Sequence, residues 1–107
     1  MTEAITQMRE QIRKHQEEKT RLESDMAALA KRRPELDKAI LDIQAKLRAA
    51  KGPSPQLQKD LLNAKEAAQG AMAGMQSLRS KIAELSGKIA ELEKNIKIVE
   101  DFMRPKQ

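Results

Sequence analysis

The sequence predicts an all-α fold, a long antiparallel two-helix coiled-coil hairpin. Apolar residues recur at alternating spacings of three and four through two long stretches, and one short Gly/Pro segment divides them. When the chain is folded back at that segment, apolar residues meet apolar residues and charges meet opposite charges.

The first helix is expected over about 3–51. Its heptad seam runs Ile5, Met8, Ile12, Leu22, Met26, Leu29, Leu36, Ile40, Ile43, Leu47 and Ala50, with Ile5 at an a position. Polar His15, Lys19 and Arg33 occupy seam positions in the same series. A polar residue at such a position fixes register or oligomer state at a cost in stability. Lys19 is expected to snorkel to the surface and His15 to lie at the seam's edge, where an imidazole would form a pH-sensitive layer if its protonation disfavoured pairing.

The turn is expected at Gly52–Pro55, with residues 52–54 non-helical. Gly52 reads as a helix C-cap, Pro53 forbids continuation, Ser54 reads as the N-cap of the next helix, and Pro55 occupies its first position. The second helix follows over about 55–103, with its seam on Leu57, Leu61, Ala64, Ala68, Ala71, Met75, Leu78, Ile82, Leu85, Ile89, Leu92, Ile96, Val99 and Met103. A short tail, 104–107, completes a single hairpin over 1–107.

A fold-back centred on Gly52 sets Ile5 opposite Val99, Ile12 opposite Leu92, Leu22 opposite Ile82, Leu29 opposite Met75 and Leu47 opposite Leu57. The positions beside the seam give an independent check on that register. Glu18 then faces Lys88, Lys46 faces Asp60, Arg9 faces Glu93, Glu23 faces Arg79 and Asp37 faces Lys65. Exposed pairs of this kind contribute only about 0.2–1 kcal/mol each, so they select register more than they supply stability.

The middle of the pattern is weaker. Pro34 lacks the N–H that would bond the Ala30 carbonyl and disfavours helical geometry at Arg33, which predicts a kink near Pro34 in a continuous helix. The facing segment is rich in Ala and Gly, so Arg33 meets Ala71 and Leu36 meets Ala68, with room expected for the Arg33 guanidinium. Gly70 and Gly74 have GxxxG spacing, which reads either as accommodation of the kink or as a hinge or docking notch.

Composition narrows the function. The 107 residues include one aromatic, Phe102, no cysteine and a single histidine, while 35% are charged. This leaves no cysteine-based metal site and no evident general-base pair, so no catalytic, cofactor-binding or metal-binding residue is identified and no cofactor is expected. No run approaches the roughly 20 apolar residues of a membrane span, and residues 1–14 carry no apolar leader, so a cytoplasmic protein without a membrane partner is expected.

The outward faces point to partners. In an antiparallel pair the b and e rows share one flank, and there Leu41, Leu62 and Met72 form a narrow apolar strip suited to pairing two hairpins into a four-helix bundle homodimer. Ile98, Phe102 and Met103 form a second apolar spot near the termini, either an end plug or a short docking motif. The net charge of +5 gathers in Lys31, Arg32 and Arg33, in Lys46, Arg48, Lys51 and Lys59 around the turn, and in the tail Arg104, Pro105 and Lys106. The sequence therefore reads as a non-enzymatic protein–protein interaction module: a scaffold, adaptor or chaperone-like arm, or an inhibitor of a protein partner. Nucleic-acid binding through the basic clusters is the alternative, set back by the lack of interleaved aromatics.

Overall fold

The structure, a computed structural model, describes residues 2–104. Helix α1 spans Thr2–Ala49 and helix α2 spans Pro55–Met103. They form the antiparallel coiled-coil hairpin that the heptads predict, with no strand among the described residues. The expected tail begins at Arg104, and Pro105, Lys106 and Gln107 lie outside the described residues.

Burial follows the heptads. Every seam position of α1 from Ile5 to Leu47 is buried or half-buried except Arg33, and every seam position of α2 from Leu57 to Val99 likewise. Arg33 is exposed, which corrects its expected place in the seam. A guanidinium facing Ala71 would lose hydration without gaining a partner, so it turns to water. Met103, the last seam position of α2, is also exposed.

Two details of the turn differ from the sequence reading. The first helix ends at Ala49, and the Ala50 amide bonds the Leu47 carbonyl at 3.3 Å in a tightened final turn. No glycine has a positive φ, so Gly52 is not a left-handed cap, and Pro53, which has no N–H for the Ala49 carbonyl, supplies the stop. Ser54 begins α2 through its backbone, its carbonyl accepting from the Gln58 amide at 3.0 Å. Its hydroxyl turns back to donate to the Gly52 carbonyl at 3.3 Å and does not cap the helix.

Helix α1 runs through Pro34 without interruption. The Ala30 carbonyl loses its helical donor there, but Ala30 and Pro34 are both exposed, so water can take the vacant place.

Contacts divide the chain into two units. The terminal unit comprises Met1–Ser24 with Arg79–Gln107, and the turn unit comprises Asp25–Leu78. The buried apolar residues among those described, Ile5, Leu22, Leu85, Ile89 and Ile96, all belong to the terminal unit. Each side chain removed from water in this way contributes about 1.5–3 kcal/mol. In the turn unit the seam of α2 offers Ala64, Ala68 and Ala71, which are too small to enclose the residues facing them, and the seam is half-buried throughout.

Both units fit the predicted register. That register sets Gln11 opposite Asn95, and in the terminal unit the two line one hollow. In the turn unit a Cβ placed on Gly74 would lie 3.2 Å from Leu29 Cδ1.

Candidate interaction surfaces

In the turn unit, helical periodicity sets the b and e rows of both helices along one edge. The predicted register, with which the Leu29–Gly74 approach agrees, sets Ala30 level with Met72, Asp37 with Lys65, and Leu41 with Leu62. Leu41 is 61% exposed, Leu62 58% and Met72 46%. Ala27, Ala30 and Pro34 on the same edge are exposed as well, and the edge alternates these apolar positions with the exposed Gln58, Gln69 and Gln76. Its central charges are Asp37 and Lys65, and among the described residues neither has an ion-pair partner within the chain.

The opposite edge of the turn unit carries a notch of about 340 Å³, lined by Leu29, Arg32, Leu36, Ala67, Gly70, Ala71 and Gly74. Small residues on α2 leave this space open. The guanidinium beside it belongs to Arg32, where the sequence reading placed Arg33.

The predicted basic residues Lys31, Arg32, Arg33, Lys46, Arg48, Lys51 and Lys59 are all in the turn unit and all exposed. None forms an ion pair among the described residues. From Ile43 to Lys59 the chain contains no acidic residue, and the flanking Asp60 carboxylate accepts from Gln56 Nε2 at 2.9 Å. Lys46 and Asp60, expected to pair, do not.

The terminal unit holds the ion pairs. Arg9 bonds Glu100 at 2.9 Å, Lys88 lies 3.6 Å from Glu84, and Arg104 lies 3.7 Å from Asp101. These differ from the expected Arg9–Glu93 and Glu18–Lys88 pairs for a geometric reason. Helical side chains lean toward their own N-terminus, so in an antiparallel pair Arg9 and Glu100 lean toward each other while Arg9 and Glu93 lean apart.

On α1 the Arg13 guanidinium bridges Glu10 and Glu17. The i,i+3 and i,i+4 spacing of these three residues is legible in the sequence. The hydrogen bond from Arg13 holds the Glu10 carboxyl below its ordinary range, and the Glu10 bond raises Arg13 in turn.

His15 is half-buried beside a hollow of about 230 Å³ that Gln11, Lys88, Glu91, Leu92 and Asn95 also line. Ile98 and Met103 are exposed in the same unit, and Phe102 is 75% exposed. Phe102 stands in water and does not plug the end of the seam. The six predicted apolar partner-binding residues are thus divided, three in each unit.

Among the described residues no three histidine or acidic side chains gather as a metal site, and no helix is long and apolar enough to cross a membrane. Comparison with protein-family models, curated proteins and solved structures gave no match.

Proposed function

We propose that this chain is a non-enzymatic protein–protein interaction module whose working surface is the apolar edge of the turn unit, and that it self-associates there into a four-helix bundle serving as a scaffold. The supporting observation is the coincidence of an unfilled interior and an uncovered exterior. The turn unit has no buried side chain among the described residues, only half-buried ones, yet it exposes Leu41, Leu62 and Met72 on one edge. A second hairpin laid on that edge removes these side chains from water and thickens the layer around the half-buried seam.

Sedimentation equilibrium across a concentration series tests the reading. The native chain is expected to approach twice its monomer mass, and Leu41→Glu with Leu62→Glu to remain monomeric with unchanged helix content. A native chain that stays monomeric at every concentration would remove the proposal.

One observation favours a second activity, binding to a polyanion backbone at the turn. The acid-free run from Ile43 to Lys59 presents Lys46, Arg48, Lys51 and Lys59 to solvent. A steep fall in DNA or RNA retention with added salt, lost on neutralising these four, would support it, since each released phosphate counterion adds to the salt slope.

A further inference from the structure

We infer that the second copy docks with its two-fold axis along the helices of the turn unit, so that α1 of each hairpin lies antiparallel beside α2 of the other. This rests on the self-association proposed above and specifies its geometry. An isologous pair brings the same patch of both copies together, and the direction of the axis decides which residue meets which.

With the axis along the helices, each residue of α1 meets the residue of α2 at its own level in the second copy. Leu41 meets Leu62 of the second copy, Ala30 meets Met72, and Asp37 meets Lys65, each contact occurring twice. All three exposed apolar side chains are covered. The carboxylate and ammonium that have no ion-pair partner among the described residues gain one of opposite sign.

An axis lying across the helices sets α1 on α1 and α2 on α2. Centred on the level of Asp37, it stacks Asp37 on Asp37 and Lys65 on Lys65. Centred on the level of Leu41 and Leu62, it carries Met72 out over the Gly/Pro turn of the second copy. Only the lengthwise axis covers the apolar strip and neutralises both charges.

Cysteine crosslinking distinguishes the arrangements cleanly because the chain has no cysteine of its own. Leu41→Cys and Leu62→Cys are prepared separately, one bearing a mass tag, then mixed and oxidised. The lengthwise axis predicts the mixed disulfide in excess of either like-with-like product. A predominance of Leu41→Cys joined to itself would overturn this inference and leave self-association standing. A monomeric native chain in the same sedimentation run would overturn both and leave the edge to a different protein.

Charge reversal supplies a second readout that does not depend on crosslinking. Asp37→Lys and Lys65→Asp are each expected to weaken association about tenfold, as the loss of two pairs at about 0.7 kcal/mol each would. Refolded together, the two variants are expected to recover most of that loss, because each then meets opposite charge on the other copy. A mixture as weak as the separate variants would show that the pairing does not cross between copies.

Discussion

The terminal and turn units are built on the same heptad and differ in what fills it. In the terminal unit the α2 seam from Ile82 to Val99 is Ile, Leu and Val throughout, facing Ile5, Met8, Ile12 and Leu22 together with the half-buried His15 and Lys19, and buried side chains result. In the turn unit a comparable row on α1, Leu29, Leu36 and Ile40, faces Met75, Ala68 and Ala64, and nothing is fully enclosed among the described residues. The ion pairs divide the same way, all falling in the terminal unit. Periodicity fixes which residues face inward, while side-chain volume decides whether facing inward amounts to burial. A unit whose seam is correctly patterned but underfilled is the natural place for another chain to complete the packing.

The largest expected effect tests that contrast directly. Leu85→Ala removes a buried side chain from the terminal unit and should cost about 3 kcal/mol in urea unfolding. Leu36→Ala removes the same atoms from a half-buried place beside the turn-unit notch, where little enclosing structure is lost, and should cost about 1 kcal/mol. These values apply to the monomer, so the measurement belongs at concentrations where sedimentation shows one chain. Equal losses would mean that the two units are packed alike and that the exposed strip has no interior cause.

Pro34→Ala should act in the opposite direction and sharpen the contrast by strengthening the weaker unit. An interior proline costs a helix about 3 kcal/mol relative to alanine, through the missing hydrogen bond and the clash of its ring with the preceding turn. Part of that is offset, because proline also restricts the unfolded chain by roughly 0.4–1 kcal/mol. The exposed position of Pro34 leaves no packing to lose. A gain of about 2 kcal/mol is therefore expected in thermal or urea unfolding. No gain would show that the helix already accommodates Pro34 without penalty.

The hairpin was legible because its determinants are periodic: the seam, the turn between Gly52 and Pro55, and the register all follow from spacing. Where one side chain had several local choices, spacing alone went astray. Arg33 sits in the seam by count and in solvent by energetics, because a guanidinium gains nothing opposite Ala71. Arg9 has Glu93 across from it, but the lean of its side chain takes it to Glu100. Gly52 resembles a cap, yet Pro53 stops the helix without a left-handed residue. The apolar edge was legible as positions. Its significance was not, because an exposed leucine is informative only beside the fact that the interior next to it is unfilled.

The smallest predicted effect lies in the pH dependence of the terminal unit. Arg13 holds Glu10 ionised through a direct hydrogen bond, so the folded carboxyl titrates below its unfolded value, near 4.5. A group shifted down in this way contributes its stability above the unfolded value and loses it as pH falls through the folded one. Melting temperature should therefore fall as pH drops below about 4.5, and Glu10→Gln should flatten part of that slope while changing little at neutral pH. The pair is fully in water, so added salt should erase most of the difference between the two chains. Glu66→Gln in the turn unit, whose carboxylate has no ion pair among the described residues, controls for the loss of one negative charge. If both substitutions change the acid slope equally, the Arg13 bridge adds nothing to the terminal unit, and the distinction between the units rests on side-chain volume alone.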